Sequence, residues 1–251
     1  MQIVGYEPGS PDEPATILVA RNGAVEMQSL NPGTELEYGI DGRHCAGTVE
    51  KGRHDSCNRD TAPYCDVHSS VWPCARCRGD CAMPLETCYE EHAIYLAAFE
   101  PATFKVGVTR SWRLETRLTE QGARLAAHIR TVENGRTARQ IEAQIANDIP
   151  DRVDVKTKID GLDSVLDTDR WEALLDPYDV IETYAFEYGL SLDQQPIQTT
   201  SASGTVLGSR GRVLLLEKGE TPYAIDLQSL VGYEILEGES ESERQTSLGG
   251  F

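Results

Sequence analysis

Seven cysteines and one histidine are the residues most suited to binding a metal ion. The cysteines all fall within residues 45–88, at Cys45, Cys57, Cys65, Cys74, Cys77, Cys81 and Cys88. The stretch "CARCRGDC" has the pattern C-x2-C-x3-C, and "YCDVH" places His68 three residues after Cys65. Such spacings are typical of tetrahedral zinc sites with sulfur and nitrogen ligands, and an odd number of cysteines cannot pair completely as disulfides.

The eight candidate ligands divide most simply, in sequence order, into two zinc sites. The first comprises Cys45, Cys57, Cys65 and His68. The second comprises Cys74, Cys77, Cys81 and Cys88, with His92 as a candidate to replace Cys81. We expect His44 and His54 to be bystanders. A shell so rich in sulfur leaves no open position for water, so both zinc ions are predicted to be structural.

The distribution of charge indicates an anionic ligand. The chain has 41 acidic and 23 basic residues, a net charge of −18, and only five of the basic residues are lysines. This composition resembles that of proteins from salt-loving archaea, in which high salt screens the repulsion between like charges. Residues 105–139 run against this background, with eight basic and three acidic side chains. They predict a phosphate or nucleic-acid site, although the same arginines could instead pair with nearby carboxylates.

The hydrophobic pattern after residue 92 predicts the order β-β-α-β-α-α. Strands are predicted at "AIYLAAF", "FKVGVT" and "AAHIRTVE", and helices at "WRLETRLTEQ", "RTARQIEAQIANDI" and "SVLDTDRWEALLDP". Ser111 is a candidate N-cap for the first helix and Gly122 its C-terminal stop. Trp112 and Trp171 are expected to anchor the core.

The two ends of the chain differ from this central part. Strand and turn patterns make residues 1–44 and 177–237 β-rich, and residues 238–251 are expected to form a disordered tail because they are polar. No apolar run approaches the roughly 20 residues that cross a bilayer. The first residues also lack the basic and apolar regions of a signal peptide. We therefore expect a cytoplasmic protein.

The order of elements and several motif positions resemble the GIY-YIG nuclease superfamily. Ala93-Ile94-Tyr95 matches the first motif, Lys105-Val106-Gly107 the second, Arg117 the helix arginine and Glu142 the acidic metal ligand. The larger arrangement, in which a cysteine cluster is followed by "HAIYLA", "KVGVTR" and "QGA", is similar to a family called domain of unknown function 2797. That second resemblance covers roughly residues 45–235.

The first resemblance implies a catalytic role for four residues. Tyr95 would act near the nucleophile, Arg117 would bind phosphate, and Glu142 would hold Mg²⁺ or Mn²⁺. Lys105 stands where the superfamily has its second tyrosine, and it could be a base, a cation on phosphate or an exposed strand residue. Arg113 lies one turn before Arg117 and is a rival for its role. Arg110, at the start of the helix, could also bind phosphate.

These inferences predict an α+β protein in which a zinc-binding segment, residues 45–92, precedes a GIY-YIG-like core, residues 93–176. Nucleic acid, either DNA or RNA, is the expected partner. One hypothesis is a metal-dependent nuclease or related phosphodiesterase. Another is a zinc-containing protein that binds nucleic acid, RNA included, without cleaving it. A third is a docking surface for other proteins. Convergence of Tyr95, Arg117 and Glu142 on one pocket would favour the enzyme.

Overall fold

A computed structural model describes residues 1–69, 77–81 and 86–237. These residues form a mixed α+β fold that is rich in strands and has few helices. The described residues within 1–70 and 188–251 form one compact unit, and those within 71–187 form the other. The predicted tail and the candidate ligand Cys74 lie outside the described residues.

The strands and helices are numbered here in chain order. The strands are β1 (Gln2–Glu7), β2 (Thr16–Arg21), β3 (Ala24–Ser29), β4 (Glu35–Arg43), β5 (Thr48–Glu50), β6 (Arg53–Asp55), β7 (His92–Phe99), β8 (Thr103–Arg110), β9 (Leu125–Val132), β10 (Glu182–Ala185), β11 (Ile197–Gln198), β12 (Ala202–Arg210), β13 (Val213–Lys218), β14 (Thr221–Asp226) and β15 (Tyr233–Glu237). The helices are α1 (Leu114–Glu120), α2 (Gly135–Ile145), α3 (Val155–Asp160), α4 (Thr168–Leu175) and α5 (Leu227–Leu230).

In the first unit, strands from both ends of the chain share one sheet. Its order is β11-β14-β13-β12-β4-β15-β1-β2-β3-β6-β5, so the C-terminal strand β15 lies between β4 and β1. Side chains on successive residues of a strand point to opposite faces, and the buried face of this sheet is aliphatic. Its core includes Ile3, Ile17, Leu214, Leu216 and Ile225.

In the second unit, β7 is an inner strand of a four-stranded sheet with the order β10-β9-β7-β8. The strand pairs antiparallel with both β8 and β9, and almost every one of its residues is buried. A strand covered on both faces reads as a continuous apolar run, which explains the sequence "AIYLAAF". Helix α2 packs against β7 and β8, and Trp171 of α4 lies 5.8 Å from Phe104 between ring centroids.

The predicted strands of this unit are confirmed as β7, β8 and β9, and the predicted helices correspond to α1, α2 and α4. The short helix α3 was not predicted. Ser111 as an N-cap was wrong, because a 3₁₀ turn, Ser111–Arg113, precedes α1 and leaves Arg113 at the cap position. The buried Ser111 hydroxyl has no hydrogen-bond partner among the residues that the structure describes. Gly122 does end the helix, with a φ of 70°.

The two tryptophans behave differently. Trp171 is only 5% exposed and anchors the core as predicted, whereas Trp112 is 70% exposed, so its assignment to the core was wrong. Trp112 lies on the 3₁₀ turn that carries the chain from β8 to α1, outside the apolar face of either element. In the described part of the chain, no helix combines the length and the apolar character that crossing a membrane requires.

Candidate functional site

Four of the predicted zinc ligands meet in the first unit. The ligand atoms of Cys45, Cys57, Cys65 and His68 all lie within 4.8 Å of one another. The Sγ atoms of Cys45 and Cys65 are each 3.3 Å from Nδ1 of His68. Ligands of a tetrahedral zinc ion stand roughly 3.5 Å apart when each is about 2.0 to 2.3 Å from the metal. This cluster can therefore hold a metal ion such as zinc.

Backbone N–H groups donate hydrogen bonds to two of the cysteine sulfurs in the cluster. The N–H groups of Gly47 and Cys65 donate to Sγ of Cys45, at 3.4 and 3.3 Å. Gly47 has a φ of 64°, and a Cβ there would lie 2.0 Å from the carbonyl oxygen of Asp55, so this turn requires glycine. Burial opposes ionisation of Cys65, but the N–H groups two and three residues further on donate to its sulfur and lower its pKa to about 6. A thiolate is the form that binds metal.

The neighbouring histidines make other contacts, as expected of bystanders. Nδ1 of His44 lies 2.8 Å from the carbonyl oxygen of Cys57. Nε2 of His54 lies 2.8 Å from the carbonyl oxygen of Ala46. Neither residue belongs to the cluster of four.

The second predicted set of ligands is only partly visible. Cys77 and Cys88 line a cavity in the second unit, and His92 lines the same cavity. Among the described residues, Cys77, Cys81 and Cys88 do not form a compact group like the first cluster. Cys81 does not line this cavity.

The cavity has a volume of about 570 Å³, and every predicted catalytic and phosphate-binding residue lines it. These residues are Tyr95, Lys105, Arg110, Arg113, Arg117 and Glu142. They come from β7, β8, the 3₁₀ turn, α1 and α2. Pairing of β7 with β8 and packing of α2 against both strands bring residues from distant parts of the sequence into one site.

Tyr95 is held rigidly at the base of this site. It pairs across the sheet with Gly107, where a Cβ would lie 2.4 Å from Cζ of the ring, so the glycine makes room for the phenol. The tyrosine is 1% exposed, and its hydroxyl oxygen accepts a hydrogen bond of 2.6 Å from Nε2 of Gln121. Burial raises the pKa of Tyr95, although the charge of Arg117 opposes the shift. The phenol is therefore a hydrogen-bond donor at neutral pH.

The sequence left open whether Lys105 is an exposed strand residue, and the structure shows that it is buried. It is 9% exposed, and Nζ donates a hydrogen bond of 3.0 Å to Oε1 of Gln121. Burial, followed by the charge of Arg117, lowers the pKa of Lys105 to about 8, while Glu142 opposes the shift. A substantial fraction of the amine is thus neutral slightly above neutral pH, as a general base requires. One amide, that of Gln121, links Lys105 to Tyr95.

Arg113 and Arg117 are fixed on one carboxylate. Nη2 of Arg113 donates to Oε1 of Glu120 at 2.8 Å, and Nη1 of Arg117 donates to Oε2 of the same residue at 3.2 Å. Both guanidinium groups remain partly exposed and line the cavity. Two arginines oriented in this way can bind one phosphate together.

Glu142 lies on the side of α2 that faces the cavity. It is 8% exposed, and its Oε2 accepts a hydrogen bond of 2.7 Å from Nη1 of Arg139. Asp151, which follows α2, supplies a second carboxylate to the same cavity. The two carboxylates are a set of oxygen ligands that a divalent cation could use.

Positive charge dominates the cavity. Its acidic lining residues are Glu142 and Asp151, and its basic lining residues are Lys105, Arg110, Arg113, Arg117, Arg136, Arg139 and Arg152. A concave site with this excess of cations, in a protein whose net charge is −18, concentrates anionic ligands. The cavity therefore combines a basic surface with a candidate base and two carboxylates.

Three residues of the candidate site were not predicted from the sequence: Gln121, which bonds to Tyr95 and Lys105, and Asp151 and Arg152, which line the cavity. They follow α1 and α2 rather than lying within them, so no helical spacing relates them to the site. Gln121 does begin the motif "QGA", which is the one feature of the sequence that could have identified it.

Comparison with known proteins gives one match. Residues 40–235 match the family described as "Protein of unknown function (DUF2797)". A search of curated proteins and a search of solved structures returned no significant match. The matched region is more than half of the chain and includes both the cysteine cluster and the cavity. The chain therefore belongs to the DUF2797 family.

Proposed function

We propose that this protein is a metal-dependent phosphodiesterase that cleaves nucleic acid, with an active site of the GIY-YIG type. The observation that carries the proposal is the convergence of Tyr95, Lys105, Arg117 and Glu142 on one strongly basic cavity. The element order β7-β8-α1-β9-α2 agrees with the resemblance to that superfamily. Fold resemblance does not establish function, so the argument rests on the chemistry of these side chains.

Substrate binding begins with the two arginines of α1. Arg113 and Arg117 bind the non-bridging oxygens of one backbone phosphate. Because Glu120 already orients both guanidinium groups, little side-chain entropy is lost when the phosphate arrives. Arg117 then stabilises the negative charge that develops on the phosphoryl oxygens in the transition state.

Lys105 acts as the base in place of the second tyrosine of the superfamily. A water oxygen attacks phosphorus, and the proton of that water passes to the neutral Nζ of Lys105. The bond between phosphorus and the leaving sugar oxygen breaks, and that oxygen takes a proton from solvent. Tyr95, whose hydroxyl is positioned by Gln121, donates a hydrogen bond to a phosphate oxygen.

The residues present fit a divalent cation. Mg²⁺ is usually bound by one or two carboxylates together with substrate phosphate and water, and Glu142 and Asp151 supply two carboxylates. The hydrogen bond from Arg139 fixes one oxygen of Glu142 and orients the group. A bound Mg²⁺ or Mn²⁺ would polarise the phosphoryl group.

A cleavage assay tests the proposal. DNA and RNA oligonucleotides are incubated with the protein in concentrated potassium chloride, with and without Mg²⁺ or Mn²⁺. We expect cation-dependent cleavage that falls by roughly 100-fold or more in Arg117→Ala. Glu142→Ala should abolish the cleavage that depends on the cation. Arg170→Ala, which removes an exposed arginine of α4 that does not line the cavity, is the matched control and should cleave normally. Cleavage unaffected by both site substitutions would show that the active site lies elsewhere.

A second candidate function is binding without cleavage. Two observations favour it: a lysine replaces the second tyrosine, and Arg139 partly neutralises Glu142. In that case every substrate would be bound and none cleaved. Arg113→Ala and Arg117→Ala would weaken binding. Neither Lys105→Met nor the wild type would cleave any of the substrates.

A further inference from the structure

Trp112 is an exposed indole in a position that packing does not explain. It is 70% exposed, on the 3₁₀ turn between β8 and α1, with Arg110 and Arg113 close by in sequence. A tryptophan left largely in water loses the favourable free energy of burying its large ring, and tryptophans are enriched where proteins meet a ligand or partner, which suggests that a ligand covers this one.

The indole is fixed in place. Its Nε1–H donates a hydrogen bond of 3.0 Å to Oε2 of Glu90, and Nη1 of Arg110 donates to the other oxygen of Glu90 at 3.4 Å. The guanidinium carbons of Arg110 and Arg113 lie 4.7 and 5.9 Å from the ring centroid. The residue remains largely exposed while these contacts restrict its rotation, as a preformed stacking surface requires.

The same two arginines line the phosphate cavity. Trp112 therefore stands at the edge of the cavity, within contact of residues that would bind the phosphate. A nucleotide with its phosphate on these arginines would carry its base toward the indole. Aromatic rings beside a basic groove are the usual means of binding single-stranded nucleic acid, because every base has a face that can stack. In a duplex those faces are already stacked on their neighbours.

We propose that the ligand of this site is single-stranded nucleic acid, and that an unpaired base stacks on Trp112. The inference rests on the phosphate-binding part of the proposed function and adds the substrate class. The positive charge around the indole favours a polyanion over an apolar protein surface as the group that covers it. Arg110 and Arg113 thus serve both the phosphate and the stacked base.

Tryptophan fluorescence gives a direct test that does not depend on cleavage. The experiment uses a variant with the substitution Trp72→Phe, so that the tryptophan fluorescence comes only from Trp112 and the buried Trp171. It is titrated, with the cation omitted, with a single-stranded oligothymidine, a duplex of equal length and a single strand of abasic sugar phosphates. We expect the oligothymidine to quench the emission and to bind more tightly than the other two. Trp112→Ala should weaken oligothymidine binding, followed by anisotropy, by roughly 5- to 150-fold, and Trp112→Phe should weaken it less.

The controls separate this inference from the proposed function. Val165→Ala removes another exposed apolar side chain of the same unit and should bind as the wild type does. Binding of the abasic strand should be unchanged by Trp112→Ala and reduced by Arg113→Ala. If the oligothymidine binds no better than the abasic strand, or if Trp112→Ala binds it normally, the stacking inference is wrong while the phosphate site stands. If none of the three ligands binds, the proposed function is wrong as well, and a protein partner becomes the better explanation of Trp112.

Discussion

At the scale of single residues, the proposed function depends on Lys105, which stands where the GIY-YIG superfamily has its second tyrosine. A buried amine beside two arginines gives up its proton more readily than an exposed one, because each neighbouring positive charge and the loss of hydration disfavour the ammonium form. Lys105 has this environment, and it is linked through Gln121 to the hydroxyl of Tyr95. Lys105 therefore supplies a group that can accept a proton near neutral pH.

The pH dependence of cleavage follows from this role. The pKa of Lys105 is about 8, and the base is the deprotonated form. The value of kcat/KM should therefore rise with pH below about 8 and level off above it. Lys105→Met should lose this dependence together with roughly 100-fold or more of the rate. A rate that instead falls as the pH rises through 8 would show that Lys105 acts as a cation on the phosphate.

Gln121 is a positioning residue whose role can be separated from a purely structural one. The nearly isosteric Gln121→Glu places a negative charge within hydrogen-bond distance of Nζ of Lys105, which favours the ammonium form. We expect the rising limb of the pH profile to move above pH 8, with a lower rate at pH 7. Gln144→Glu, on α2 but outside the cavity lining, is the control and should leave the limb in place. An unshifted limb in Gln121→Glu would mean that this amide does not contact the base.

At the scale of elements, the long apolar segments were predictable and the short or irregular ones were not. Strand β7 has a continuous apolar run, β8 has apolar residues at every second position, and α2 has apolar residues at helical spacing. Helix α3 has six residues and depends on tertiary contacts, which the sequence does not display. Trp112 was misplaced because a 3₁₀ turn shifts the face on which a side chain emerges.

Much of the candidate site could also be predicted from the sequence, for a physical reason. Tyr95 and Lys105 lie on adjacent strands, and Arg113 and Arg117 lie one turn apart, so local geometry relates the members of each pair. Gln121, Asp151 and Arg152 come from connections between elements. Their positions depend on how α1 and α2 pack against the sheet, and no periodic pattern encodes that packing.

The packing of β7 against β8 makes Gly107 indispensable. A Cβ in Gly107→Ala would lie 2.4 Å from both Cζ and the hydroxyl oxygen of the buried Tyr95, so the strand or the phenol would have to shift. We expect a loss of about 1–3 kcal/mol in the free energy of unfolding, measured by calorimetry. The Cβ of Gly42→Ala in strand β4 meets no atom of the described residues within 4 Å, so this substitution should be neutral or slightly stabilising. Equal stability of Gly107→Ala and the wild type would mean that Tyr95 does not lie across this strand.

At the scale of the whole molecule, two kinds of site occupy two compact units. The first unit contains the Cys45, Cys57, Cys65 and His68 cluster within a chain segment that joins its strands, and the second contains the basic cavity. The acidic remainder of the protein makes the cavity stand out electrostatically, because anions are repelled elsewhere and attracted there. Affinity for nucleic acid should accordingly decline as salt rises.

Metal content tests the cysteine cluster. We expect two zinc ions per chain by elemental analysis, and His68→Gln should lose one of them because a ligand nitrogen becomes an amide. His44→Gln alters a nearby histidine that bonds to backbone carbonyls and should keep both ions. Two zinc ions in His68→Gln would show that His68 does not bind zinc at the first predicted site. A single zinc ion in the wild type would contradict the second predicted site.

The most direct test of the central claim is the rate of single-turnover cleavage of a single-stranded oligonucleotide with Mg²⁺, comparing Glu142→Gln with Glu172→Gln. Both substitutions replace a helical carboxylate with its amide, but Glu142 lines the cavity and Glu172 is exposed on α4. The account predicts cleavage by the wild type and by Glu172→Gln, and none above background by Glu142→Gln. Equal cleavage by the two variants would contradict it.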